Sequence, residues 1–375
     1  MTRHGIPLGR ILGIAIGLDF SWFLIFALLT WLLAASYFPG EFKNLPAGVY
    51  WAMGAATSIL LFVSVLLHEL GHSIVALRYK IPVRRITLFL FGGVAEIGAE
   101  PPSARAEFFI AIAGPLVSLA LAALFQAIEP AVAAVQPLLG IVKYLAYINL
   151  AVVLFNLVPG YPLDGGRVFR ALVWAITGNM RRATVVAANV GRFFGFFFIM
   201  VGVWMMLGGN FGGGIWIAFI GWFLDSAAAS QVQLTRVEGL LSGHIVSQAM
   251  SVNCPRLPAD IPLQRLVDEH ILASGQRFYI VDRDDKAVGL INLRGILNVP
   301  RSRWSSTTVQ EAMLPLNQLK SVSPTTELWA VLQLMDRSGV NQLPVISDGE
   351  VVGMLSREDV IGYLGALVEL GKSAH

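Results

Sequence analysis

The residues best equipped for chemistry are His68-Glu69-Leu70-Gly71-His72, an H-E-x-x-H string. On a helix, positions four apart share a face. Both imidazoles can therefore grip one Zn²⁺, while the glutamate lies beside the open coordination position, placed to take a proton from water. The string sits in an apolar stretch with no other His or Glu between residues 42 and 95. Ionisable groups at such a place are expensive, and a divalent metal offsets the desolvation of all three. A zinc site needs at least one more protein ligand. Two acids near later apolar runs qualify: Asp225, with no polar company in sequence, and Asp164 in Asn156-Leu-Val-Pro159-Gly-Tyr-Pro162-Leu-Asp164-Gly165-Gly166-Arg167. The two prolines break a helix there and free backbone groups that are tolerable only against a cavity, and the two glycines let main chain approach closely. His72 and His68 stand six and ten residues before Arg78, about 9 and 15 Å along a helix. Histidines and Asp164 can thus meet on one side of a bilayer, below its surface.

The elements that must position these groups are written in the composition. Of 375 residues, 55% are apolar and 14% charged, against roughly 45–50% and about 25% in a soluble domain. Part of the chain therefore lives in lipid. Six membrane helices are predicted, at 20–38, 52–77, 108–127, 139–158, 189–207 and 212–228. The first is too long in its apolar part for a cleaved signal peptide. The single Cys254 excludes a disulfide framework, and 27 basic against 24 acidic residues give too even a balance for a nucleic-acid binder. Lys and Arg gather at the N-terminus and in the second and fourth loops, which puts both termini in the cytoplasm. Residues 11–18 and 85–98 do not read as helices. The second alternates around a Gly-Gly pair like a hairpin, so strands packed against the cytoplasmic side of the helices are expected. Asp19 and Arg192 read as interfacial residues and His4 as a solvated one.

H-E-x-x-H in one span and N-x-x-P-x-x-P-L-D-G in a later one resemble the site-2 protease family of intramembrane zinc metalloproteases, over about residues 10–230. Phe91-Gly92-Gly93-Val94, and Ala113-Gly114-Pro115 opening the third span, are similar to family features. The resemblance implies His68, His72 and Asp164 as ligands of one Zn²⁺ per chain, Glu69 as general base and Asn156 as a polar group holding substrate or oxyanion. No inserted PDZ domain is seen, so the chain is similar to the subgroup with C-terminal CBS domains, and a PDZ-dependent substrate check is not expected. An extended substrate segment is expected to add to a strand edge near residues 86–95.

From about residue 240 the composition turns soluble and repeats itself. Ala249-Met250 recurs as Ala312-Met313, and Val288-Gly289-Leu290 as Val352-Gly353-Met354. The two copies resemble a tandem pair of CBS domains, and the second is the better match. By that likeness Asp359 contacts the ribose hydroxyls of an adenine nucleotide (ATP, ADP or AMP), with Ser356 as N-cap and phosphate contact. In the first copy Gly295 stands opposite Asp359 and Asn292 opposite Ser356, so one cleft lacks its ribose acid.

The expected molecule is a polytopic α-helical membrane protein, with about six transmembrane helices and a small membrane-associated β-sheet, followed by an α/β CBS pair. Its expected parts are a metalloprotease domain (1–230), a linker (231–243) and CBS copies at 244–302 and 303–370. It would be a multi-pass enzyme of the cytoplasmic membrane that cuts single-span membrane proteins, with the CBS pair as nucleotide-responsive regulator or homodimer contact. Nucleic acid is not an expected partner. The rivals are a CBS-regulated transporter, which needs polar residues spread along several spans, and a metal-free scaffold, which should have lost the glutamate or a ligand.

Overall fold

The structure is a computed structural model that describes residues 5–90, 92–272, 278–284 and 286–373. It forms two compact units, residues 1–235 and 236–375. The first contains most of the long apolar helices. The first span, Ser21–Glu41, comprises α1 (Ser21–Leu32), a π-helical stretch and α2 (Phe38–Glu41). The others are α3 (Ala47–Arg78), α4 (Ala104–Val132), α5 (Gln136–Asn156), α7 (Met180–Leu207) and α8 (Phe211–Leu241); between α5 and α7 lies a shorter helix, α6 (Asp164–Thr177). Among the described residues six helices are long and apolar enough to cross a membrane. Their outward faces expose large apolar side chains such as Leu24, Trp31, Leu154 and Trp204, which is stable only against lipid. Residues 231–241, expected as linker, continue α8. The amphipathic α6 was not expected, because fourteen mixed residues carry no spanning signal.

The segments that read as strands supply β2 (Ile14–Asp19), β3 (Val83–Phe89) and β4 (Gly92–Ile97), and β1 (Gly5–Ile11), which was not expected, joins them in one sheet of order β1-β2-β3-β4. β1 and β2 make a hairpin about Leu12 and Gly13, both at positive φ, the geometry of a two-residue turn. β2 and β3 pair in parallel, and β3 and β4 antiparallel. One face of the sheet, with Ile14, Ile16, Val83 and Ile86, packs on Leu70, Ala76 and Ile110 of the helices. Residues 86–88 are therefore flanked on both sides, and among the described residues the free edge near the helices belongs to β4, so of the edge expected near 86–95 only the part on β4, residues 92–95, is free. Phe91 and His4 lie outside the described residues.

The second unit shows the repeat in space. β6 (Phe278–Arg283) and β7 (Lys286–Asn292) recur as β9 (Gln342–Ser347) and β10 (Glu350–Ser356). β5 (Arg256–Pro258) runs parallel to β6, as the bridge Val322–Val345 does beside β9. The copies exchange their leading segments: β8 (Leu314–Pro315) pairs with β7, and Ser251 pairs with Met354 on β10. Met313 lies over Gly289, where a β-carbon would come within 2.5 Å of its Sδ, and Met250 lies over Gly353 at 3.1 Å. The recurrent Ala-Met and Val-Gly pairs are thus a methionine of one repeat covering a glycine of the other.

Candidate metal centre

Nε2 of His68 and Nε2 of His72 lie 3.2 Å apart on one face of α3. Asp164, the first residue of α6, brings Oδ2 to 3.0 Å from His68 Nε2 and Oδ1 to 3.2 Å from His72 Nε2. The two histidine contacts use different oxygens of the Asp164 carboxylate, and with one ligand atom taken from each residue the three donors lie within 4.8 Å of one another, within reach of one zinc ion with bonds of about 2.0 Å. Among the described residues this is the one cluster of three potential ligands within reach of a common ion. Both imidazoles are buried, at 5% and 4% exposure.

The surrounding helices orient the rings. His72 Nδ1 donates to the Ile110 carbonyl at 2.7 Å, and His68 Nδ1 lies 2.9 Å from Ser118 Oγ. With Nδ1 committed, a neutral imidazole presents a bare Nε2 to a cation. Ile110 and Ser118 flank Gly114 on one face of α4, and a β-carbon on Gly114 would stand 2.6 Å from His68 Nε2. The donor set, its separations, its oriented rings and this clearance fit a zinc ion with an open fourth position.

Asp164 reaches the histidines because α5 ends at Asn156, and the turn of residues 157–163 folds back under α6. Tyr161 N–H donates to the Ala187 carbonyl of α7, and Gly160 rests against Gly191 with no side chain between them. Gly165 and Gly166 lie so close to the carbonyls of Leu157, Val158 and Gly160 that neither has room for a β-carbon. Glu69 sits beside the cluster with its stem under β4: a β-carbon on Gly93 would meet its Cγ at 2.5 Å. The Gly-Gly pair therefore opens β4 and clears the glutamate, where the sequence suggested the turn itself.

Other expected residues are elsewhere. Asn156 closes α5 and makes no side-chain hydrogen bond among the described residues. Asp225, read as lacking polar company, is paired with Arg192 across α7 and α8 at 3.1 Å. Asp19 accepts from the Ser21 backbone N–H and hydroxyl at the start of α1. In the second unit Ser356 and Asp359 form a reciprocal capping box: Ser356 N–H donates to Asp359 Oδ2 at 2.8 Å, and Asp359 N–H to Ser356 Oγ at 3.1 Å. Asn292 caps the equivalent helix of the first copy by accepting from Gly295 N–H at 2.9 Å. Sequence reading missed Ser118, Gly114 as the clearance for the imidazoles, the buried pair Glu107–Arg170 and buried Asn149, which donates to Ser64 one turn before His68. A stripe of polar or small residues at helical spacing (107, 114, 118) was the available signal. Ala113-Gly114-Pro115 lies well inside α4 and does not open it.

The chain is similar to known proteins along most of its length. The model of Peptidase family M50 matches residues 56–132 and 124–202, and that of the CBS domain residues 308–366. "Putative zinc metalloprotease Rip3" of Mycobacterium tuberculosis is 38% identical over 96% of this chain and 92% of its own. "Putative zinc metalloprotease sll0528" of Synechocystis is 36% identical over 96% of both chains. The solved site-2 protease from Methanocaldococcus jannaschii is similar at 30% identity over 61% of this chain and 95% of its own, with a TM-score of 0.42. With relatives of that identity along nearly its whole length, the chain belongs to peptidase family M50, the site-2 protease family of zinc metalloendopeptidases.

Proposed function

We propose that this protein hydrolyses peptide bonds within or near the transmembrane segments of single-span membrane proteins, with His68, His72 and Asp164 as the zinc ligands and Glu69 as the general base. The observation that carries the reading is the cluster of two Nε2 atoms and one carboxylate, 3.0–3.2 Å apart, among helices of membrane-spanning length. Bound Zn²⁺ supplies Lewis acidity, which lowers the pKa of water toward about 7 and polarises a carbonyl. Glu69 takes a proton from the attacking water as its oxygen bonds to the peptide carbon, and delivers it to the leaving nitrogen as the C–N bond breaks. Asn156, at the mouth of the turn that carries Asp164, would hold the substrate backbone or its oxyanion. A substrate helix must unwind to expose its carbonyls. The free edge of β4, one residue of which covers Glu69, would accept it as an added strand beside the base.

The protein would lie in the cell membrane with both termini and the basic loops in the cytoplasm, residues 1–230 forming the protease and 244–302 and 303–370 the CBS copies. The CBS pair would act as a regulatory or homodimer module, with an adenine nucleotide at Asp359 and Ser356. The functional test is Glu69→Gln, which removes the proton shuttle and leaves every ligand in place. The purified variant should hold one zinc per chain and cleave at least a hundredfold more slowly. Membranes carrying it should accumulate single-span proteins that wild type removes. Undiminished hydrolysis by Glu69→Gln would exclude Glu69 as the base, and wild-type protein that holds no zinc would exclude the reading in favour of a transporter or scaffold.

A further inference from the structure

We propose that the buried ion pair Glu107–Arg170 is the positioning device for the third ligand: it locks α6 to α4, and so sets Asp164 in register with the two imidazoles. The inference rests on the assignment of Asp164 as a ligand.

Arg170 lies six residues after Asp164 on α6, about 9 Å along the axis. Its Nε and Nη2 both donate to Glu107 Oε1, the first at 2.6 Å. Glu107 is fully buried and Arg170 is 8% exposed. Among the described residues the other side-chain hydrogen bonds tying α6 to a neighbouring helix are those of Asp164 itself, and the rest of α6 packs on α4 and α7. Its flanks expose Leu172 and Ile176, and its first turn meets the preceding loop through glycines, which restrain distance but not rotation. Glu107 stands on α4 at offsets of three, seven and eleven residues from Ile110, Gly114 and Ser118, which is one stripe of a helix. That stripe orients His72 through the Ile110 carbonyl and His68 through Ser118. One helix therefore gauges both halves of the site, the imidazoles of α3 from its middle and the carboxylate of α6 from its first turn.

The chemistry of the pair suits this task better than it suits stability. A buried ion pair contributes little net stability, because desolvation cancels most of the attraction, and apolar replacement of both partners is often neutral. Two donors of a rigid guanidinium fork aimed at one buried carboxylate oxygen are directional, however, and a rotation or slip of α6 would pull them off it. Glu107 and Arg170 act here as positioning residues; neither touches a reacting atom.

The test uses the full chain, purified in detergent and stripped of metal. Zinc affinity is measured by competition with a chelating dye, the d–d absorption of the Co²⁺-loaded form reports coordination, and thermal midpoints are taken without metal. Asp164→Ala sets the benchmark for a lost ligand. Glu107→Gln and Arg170→Lys should weaken zinc binding tenfold or more, the range seen for groups that orient ligands, and dull the Co²⁺ bands. The double variant Glu107→Leu/Arg170→Met separates position from stability. It should recover the wild-type thermal midpoint yet remain at least tenfold weak for zinc. Zinc binding within twofold of wild type in that folded double variant overturns the inference. If the double variant does not fold, wild-type affinity and bands in both single variants overturn it equally. Wild-type affinity in Asp164→Ala would instead show that the ligand assignment had failed, and the inference with it.

Discussion

Gly114 meets His72 with no side chain between them: a β-carbon at this position would overlap Nε2 of His72 and crowd Nε2 of His68 at 2.6 Å. Both nitrogens are the ones aimed at the metal position, and they belong to rings already fixed at Nδ1. Gly114→Ala should therefore cost zinc before it costs fold, with occupancy of the purified protein falling well below one per chain. Gly48→Ala, on α3 where a β-carbon meets nothing within 4 Å, should leave zinc unchanged and stability equal or slightly higher. Metal analysis of the two variants side by side decides the matter, and full zinc in Gly114→Ala would contradict the geometry.

The two imidazoles are held by unlike partners, which predicts an asymmetry. Ser118→Ala removes the hydroxyl beside His68 Nδ1, whereas the partner of His72 is the backbone carbonyl of Ile110, beyond the reach of side-chain substitution. Losing one such orienting group typically costs about 10–100-fold in metal affinity. Ser118→Ala should show that loss in a chelator competition, with cleavage restored by excess zinc; Ser118→Thr, which keeps the hydroxyl, should lose less.

Much of this site was legible because its chemistry is local. H-E-x-x-H is one helical face and the six spans are long apolar runs, so periodicity and length reveal both. The union of Asp164 with the histidines was legible only as a pairing of motifs, since the turn that delivers it depends on Gly160 resting on Gly191, thirty-one residues away in sequence. What stayed hidden is non-local. Glu107 and Arg170 look like ordinary loop-side charges until α4 and α6 are side by side, and Asp225 looks alone until α7 turns back beside α8 and presents Arg192. The part of the expected edge that falls on β3 was misplaced for the same reason. Alternation marks β3 as a strand, but its parallel partner β2 lies about seventy residues earlier, and nothing local says that β3 is flanked on both sides. The CBS repeats were readable for the opposite cause, since methionine over glycine leaves a mark in each copy.

The free edge of β4 yields a test of how substrate is held. Val94 and Ala95 are consecutive, so the N–H of one faces β3 and that of the other faces the open edge. Proline at the first kind of position breaks the sheet; at the second it removes only a donor that an incoming strand would need. One of Val94→Pro and Ala95→Pro should thus keep the zinc content and thermal stability of wild type while cleaving a transmembrane substrate at least tenfold more slowly. Full activity in both variants would mean that substrate does not add to β4.

Asp359 carries two roles that substitution can separate. Its carboxylate accepts from the N–H and hydroxyl of Ser356, closing the first turn of the final helix, so Asp359→Ala should cost the CBS unit about 1 kcal/mol. A loss of that size lowers the melting midpoint of a unit of this size by roughly 3–4 °C. Asp359→Asn keeps an acceptor oxygen for the cap and should melt closer to wild type. A ribose contact asks more of the same group, because a charged carboxylate accepts from hydroxyls more strongly than an amide oxygen. If Asp359 holds a nucleotide, calorimetric titration of Asp359→Asn with ATP and with AMP should show at least tenfold weaker binding than wild type at nearly equal stability. Equal affinity in the two proteins would confine Asp359 to its structural hydrogen bonds, the cap at Ser356 and the Ser251 hydroxyl.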